Sequence, residues 1–205
     1  MLKTNIAVFV SGGGTNLQAL IDAQQAGLIH SGEITLVVSS SPDAYALTRA
    51  QKAGIPSVVI PRKDNEQFEA QLLDTLKAHD IGLIVLAGFM CILSEHFTKQ
   101  YTKRIINVHP SLIPSFCGAG FYGLRVHEAA LNYGVKVTGA TVHFVNEIPD
   151  GGEIILQRAV DIEDGDTPEL LQRRVMEQAE WKILPAACEM VAKEIAEKGD
   201  RYGTL

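Results

Sequence analysis

Five short runs of branched apolar residues, separated by stretches of helical periodicity, constrain this chain more than any other feature. Ile6–Val10, Ile34–Val38, Val58–Ile60, Leu83–Leu86 and Ile105–Val108 are continuous rather than alternating, the pattern of strands covered on both faces. Between the third and fourth, Phe68, Leu72, Leu73 and Leu76 recur at helical spacing. Strand and helix alternating in this way imply right-handed βαβ units. They predict an α/β fold: a doubly wound, mostly parallel sheet with flanking helices and a Rossmann-like N-terminal half.

The rhythm changes after residue 108. Residues 107–123 are rich in Pro and Gly, and an irregular stretch of this length inside a compact domain is usually functional. Val137–Val145 and Glu153–Val160 read as two further strands joined by the turn-rich segment 146–152. Thr167 is a suitable N-cap with Pro168 at the first helical position, so one long helix is expected from about Glu169.

Composition excludes several classes. The 205 residues suit one domain, 1–205. A hydrophobic share of 46% with 20% charged residues is that of a globular chain. A net charge of −6 argues against a protein built to coat nucleic acid or anionic lipid. No apolar run approaches the ~20 residues of a membrane span, and the start, Met1–Val10, is too brief for a signal peptide. Cys91, Cys117 and Cys188 are odd in number and widely spaced, which fits a reducing cytoplasm better than a disulfide or zinc framework.

Three segments carry chemistry. Ser11-Gly12-Gly13-Gly14-Thr15-Asn16 follows the first strand and opens a helix. Glycines allow close approach of a ligand, and the helix start offers unpaired N–H groups, so the segment reads as a phosphate site. It lacks the third glycine of a dinucleotide fingerprint and the lysine of a P-loop. The bland alternative is a tight turn that needs glycine only for its geometry. In Asn107-Val108-His109, alternation puts Asn107 and His109 on the same side of a strand at its carboxyl end, where α/β sheets bind ligands. Together they could hold a developing oxyanion. Glu147-Ile148-Pro149-Asp150-Gly151-Gly152 offers carboxylates that would favour an imidazolium at His109, or is merely a solvated turn. His127 and His143 match no metal-ligand spacing, and hydrogen-bonded supporting roles are expected for both. No GxSxG elbow is present, and Cys91 and Cys117 read as small apolar filler.

Taken together, Ser11–Ala19, Leu86–Met90, Asn107–Pro114, Thr141–Val145 and Asp150–Gly152 resemble the phosphoribosylglycinamide formyltransferases of purine synthesis over essentially the whole chain. The HPSLIP block is shared with other folate-dependent formyltransferases and hydrolases, whereas the SGGGTNLQA start singles out this family. The resemblance implies a single formyltransferase domain, with a phosphate-binding N-terminal half and a folate-binding, catalytic C-terminal half. It implies transfer of formyl from 10-formyltetrahydrofolate, the co-substrate, to the amine of phosphoribosylglycinamide, without a metal or a covalent intermediate. Asn107, His109 and Asp150 fall on catalytic positions. Gly14, Thr15, Asn16 and Glu180 fall on substrate-binding positions; Met90, Cys91, Ile92, Leu93, Asn107, Asn146, Glu147 and Asp150 fall on folate-binding ones. Many members carry arginine at the position of Cys91, and a second basic position falls near Asn65, where Arg62 and Lys63 are the neighbouring bases. Expected partners are small molecules, with no nucleic acid and no membrane and with a homodimer left open. The rival reading is a 10-formyltetrahydrofolate hydrolase on the same core, which would have no use for the phosphate loop and tends to carry an extra N-terminal domain. A tRNA formyltransferase would add a basic C-terminal domain, which an acidic chain ending at Leu205 does not suggest.

Overall fold

A computed structural model describes residues 3–62 and 64–198. Lys63, one of the two bases expected near Asn65, lies outside the described residues, as does the end of the chain at Leu205. Seven strands form one sheet: β1 (Thr4–Val10), β2 (Gly32–Ser39), β3 (Ser57–Val59), β4 (Leu83–Leu86), β5 (Ile105–His109), β6 (Val137–Phe144) and β7 (Ile154–Asp161), in the order β3-β2-β1-β4-β5-β6-β7. β1 to β5 run parallel; β6 and β7 are antiparallel additions on one edge. Each apolar run of the sequence falls on a strand, with Ile60 one residue past the end of β3, and the mostly parallel sheet is as expected.

The continuous runs are continuous because both faces are covered. Alternate residues of β1 divide between two cores: Ile6, Val8 and Val10 pack under α1 (Thr15–Gln25), α2 (Tyr45–Lys52) and the C-terminal helices, while Ala7 and Phe9 pack under α3 (Asn65–Ala78) and α4 (Glu95–Gln100). In α3 the spaced Phe68, Leu72 and Leu76 are buried, and the Asp64 side chain caps the helix by accepting from the Gln67 N–H.

From β1 the chain winds outward to β3, then returns to place β4 on the other side of β1. At such a reversal the two connections leave in opposite directions and open a crevice at the carboxyl ends of the strands. The Gly-rich segment leaves β1 there and Ala87–Met90 leaves β4. The Met90 N–H donates to Ser11 Oγ at 2.9 Å across the crevice.

The C-terminal third follows expectation with one departure. The helix capped by Thr167 runs on to Lys198 without a gap, as expected, but not in one winding: α6 (Pro168–Val175) passes through a π-helical turn (Met176–Glu180) into α7 (Trp181–Lys198). Pro185 inside α7 has no N–H to offer Trp181. The wider turn just before it carries one extra residue per repeat and turns Met176 and Glu180 to the crevice.

Candidate active site

A cavity of about 740 Å³ opens at the crevice. That size and lining suit a drug-sized heteroaromatic molecule: Phe89, Met90, Ile92, Val145 and Ile148 form apolar walls, and Asn107, Asp150, Asn16 and Glu180 are among its polar groups. Met90, Cys91, Ile92, Leu93, Asn107, Asn146, Glu147 and Asp150 all contribute to its wall. The irregular segment between β5 and α5 (Leu124–Tyr133) supplies Gly118 to Gly123 as one side of the mouth. Sequence reasoning left this side unassigned, along with Gln172 and Met176, because nothing local marks a loop residue as facing a cavity built from distant segments.

The catalytic candidates meet at the end of β5. Asn107 and His109 share a strand face as alternation requires, and the antiparallel partner β6 sets His143 directly opposite Asn107. His143 Nδ1 bonds the Phe144 carbonyl at 2.8 Å, so that nitrogen carries the hydrogen, and Nε2 accepts from Asn107 Nδ2 at 3.2 Å. One amide hydrogen of Asn107 is thus anchored, and the other remains for a ligand. Asp150 bridges the two imidazoles, with Oδ2 3.4 Å from His109 Nδ1 and Oδ1 3.6 Å from His143 Nε2.

Asp150 is aimed by its backbone. It adopts φ 57°, a left-handed conformation that Asp tolerates better than most residues, and its Oδ2 also accepts from the Gly118 N–H at 2.8 Å. Two residues on, a Cβ at Gly152 would stand 1.7 Å from the Phe144 carbonyl oxygen, so the segment passes β6 too closely for any side chain there. The Asp-Gly-Gly sequence is therefore more than a solvated turn.

The electrostatics depart from expectation at His109. Burial lowers its pKa below the ordinary imidazole value, and the Asp150 carboxylate and the Phe116 carbonyl only partly offset this. In the free protein His109 is therefore more readily neutral than the carboxylate alone suggests. Its Nε2 sits 2.9 Å from the Phe116 carbonyl, held there by a residue at φ 49°, a strained conformation for an aromatic side chain. Burial raises the Asp150 carboxyl, but His109 and the Gly118 N–H act the other way, and the group stays below its usual value.

His127 also departs. It lies on α5, fully buried, and neither ring nitrogen has a hydrogen-bond partner among the described residues. The hydrogen-bonded supporting role fits His143 but not His127, whose pKa burial pushes down to about 4. Among the described residues no three His, Cys, Asp or Glu side chains converge as metal ligands would.

Across the cavity, Asn16 Nδ2 donates to Glu180 Oε2 at 2.7 Å. Burial raises Glu180 to about 7. Gly14 caps α1 at φ 72° with no side-chain cap, which leaves the first-turn N–H groups for a ligand. Thr15 lines a second groove of about 800 Å³ between α1 and α7 that also touches Arg49 and Trp181, while its hydroxyl lies 3.8 Å from Sδ of Met176 in the cavity wall. Arg62 donates to Asn65 Oδ1 at 2.6 Å, and neither residue reaches the cavity. The position of the family's arginine, Cys91, lies in its wall.

Comparison with known proteins supplies an independent line. The sequence profile of a family described as formyl transferase matches residues 4–188. The phosphoribosylglycinamide formyltransferase of Haemophilus influenzae is 43% identical over 183 residues, covering 88% of this chain and 83% of that protein. A crystal structure of glycinamide ribonucleotide transformylase 1 from Symbiobacterium toebii superimposes with a TM-score of 0.87 at 39% identity, covering 94% of this chain and 89% of that one. The trifunctional purine biosynthetic protein adenosine-3 of Gallus gallus is 44% identical over 201 residues. The chain spans 19% of the length of that larger relative.

Proposed function

The chain belongs to the formyl transferase family, and from that premise we propose that it transfers the formyl group of 10-formyltetrahydrofolate to the amine of phosphoribosylglycinamide, a step of purine synthesis. The observation that carries this reading is that one cavity is lined both by the Asn107–His143–Asp150 cluster, with His109 behind it, and by Asn16 with Glu180 beside the Gly-rich turn. Hydrolysis of a formyl folate needs the first set alone. The second set suits a phosphoribosyl acceptor, with the anion at the start of α1 and ribose hydroxyls at Glu180.

The positions of the residues support the following roles. The apolar strip Met90–Leu93 and the segment from Asn146 to Asp150 hold the folate ring system edge-on, with its formyl group toward Asn107. The acceptor amine attacks the formyl carbon, and negative charge develops on the formyl oxygen. The free amide hydrogen of Asn107 meets that oxygen, and its geometry is already set by His143, so little reorganisation is needed. The developing charge also favours protonation of His109. Asp150, ionised and within reach of both imidazoles, holds the proton that leaves the amine; the same number of protons returns to the folate nitrogen as the carbon–nitrogen bond breaks. No covalent bond to the chain is required. We assign the reaction to the cytoplasm, where free thiols such as Cys91, Cys117 and Cys188 persist.

The test is loss of formyl folate followed by absorbance, with and without phosphoribosylglycinamide. Turnover that requires the acceptor and yields stoichiometric formylated product supports the proposal. Equal loss in both cuvettes would make the chain a hydrolase and leave the Gly-rich turn without its ligand.

A further inference from the structure

We propose that Arg49 on α2 is the positioning residue of the phosphate-binding turn, fixing the peptide planes of Gly12 to Gly14 so that their N–H groups face the phosphate monoester of the acceptor. This inference rests on the reading of the Gly-rich turn given above.

Two carbonyls of the turn are tied to α2. The Ala46 N–H donates to the Gly12 carbonyl at 3.1 Å, and Arg49 Nε donates to the Gly13 carbonyl at 2.8 Å. A trans peptide is planar, with its C=O and the following N–H pointing in opposite directions. Holding the carbonyls of Gly12 and Gly13 against α2 therefore turns the N–H groups of Gly13 and Gly14 away from it. With Gly14 at φ 72°, successive N–H groups then converge as in an anion-binding nest. Ala46 contributes through its backbone and cannot be varied usefully; Arg49 contributes through its side chain.

Arg49 is itself held on three sides. Besides Gly13, its Nη1 donates to Gln18 Oε1 at 3.1 Å, and its guanidinium lies 5.1 Å from the centre of the Tyr45 ring. Gln18 is oriented in turn by a 2.8 Å bond to Asp22. The guanidinium thus spans the Gly-rich turn and the first turn and a half of α1. A planar fork with fixed donors makes such a two-point hold, and an ammonium group does not. The plainer account is that Arg49 is a base in the last turn of α2, favourable to that helix alone. That account predicts no effect on ligands.

Steady-state kinetics of the full chain, with both substrates varied, and calorimetric titration with ribose 5-phosphate separate these accounts. R49M keeps the aliphatic stem and removes the donors. It is expected to raise KM for phosphoribosylglycinamide at least tenfold and to weaken ribose 5-phosphate similarly, with kcat and the folate KM within twofold of the parent. R49K keeps the charge without the fork and is expected to resemble R49M more than the parent. An unchanged acceptor KM in R49M overturns the inference. So does an R49K variant that behaves as the parent, because charge alone would then suffice. A common loss in kcat and both KM values with a lowered melting temperature would likewise reduce Arg49 to a packing role. If the parent chain neither uses phosphoribosylglycinamide nor binds ribose 5-phosphate, the phosphate reading itself falls and the inference falls with it; a functioning parent beside an indifferent R49M removes the inference alone.

Discussion

Replacing Gly12, Gly13 and Gly14 one at a time by alanine separates a glycine needed by the fold from glycines needed by a ligand. At Gly14 the backbone sits at φ 72°, and an added Cβ would lie 2.6 Å from Ala46 Cβ and 2.9 Å from Ala46 Cα. The left-handed conformation costs an alanine ~1–2 kcal/mol. The overlap is with a buried helix rather than the end of a flexible chain, so overpacking adds ~1–3 kcal/mol. Gly14→Ala should therefore lose about 2–5 kcal/mol, which for a chain of this length lowers Tm by on the order of 10 °C. At Gly12 and Gly13 a Cβ would meet nothing within 4 Å, and neither has positive φ. Those two variants should stay within ~1 kcal/mol of the parent yet raise KM for the phosphoribosyl substrate, because the added methyl enters space a ligand would use. Urea unfolding and acceptor KM measured on all three variants decide the matter. If Gly12→Ala and Gly13→Ala are as destabilised as Gly14→Ala, or if Gly14→Ala is as stable as the parent, the division of labour is refuted.

Other perturbations have equally definite outcomes. His109→Ala should lower kcat by roughly 10²-fold or more with small changes in either KM, as for a group acting mainly in the transition state; near-normal turnover removes it from the mechanism. Asp150→Asn takes away the carboxylate that raises His109, so the His109 titration followed by NMR should move to lower pH, with kcat falling by a similar factor. Glu180, at about 7 in the fold against an ordinary value of 4.5, binds its proton more tightly when native. Its full contribution is present below about pH 4.5 and is lost as pH rises toward 7. Glu180→Gln should thus gain on the order of 3 kcal/mol relative to the parent above pH 7 and nothing near pH 4.5, read from urea midpoints across that range. Cys188, fully buried with its thiol pushed up to about 12, should resist a thiol reagent that labels Cys91 and Cys117; a folate analogue should protect Cys91.

The sheet was legible because burial on both faces leaves a residue-by-residue mark, the unbroken Val and Ile runs from Ile6 to Val108. Asn107 and His109 were legible for a related reason: strand alternation and position at a carboxyl end are local properties. The pairing of Asn107 with His143 depends on the register of β5 against β6, and that is set by turns and packing over an interval of 36 residues. The downward shift at His109 escaped because a carboxylate nearby in sequence pattern says nothing of how deeply the imidazole is buried. The unpartnered nitrogens of His127 escaped for the same reason. The π-helical turn in the C-terminal helix left one sign, Pro185, but proline inside a helix does not say whether the chain will kink, stop or widen.

That widened turn ties two tasks to a single residue of phase. Beyond it, Ile183, Leu184, Ala187, Cys188 and Val191 form the buried stripe of α7, and before it Leu171 and Val175 form that of α6. An ordinary helix through the same stretch would be one residue shorter for the same rise, and each residue of offset turns the following stripe by about 100°. Deleting any one residue between Met176 and Glu180 would thus force a choice between packing α7 on the sheet and presenting Glu180 to the cavity. Insertions and deletions are tolerated in most helix-flanking segments; here the acidic group and the core of the C-terminal helix can only be inherited together.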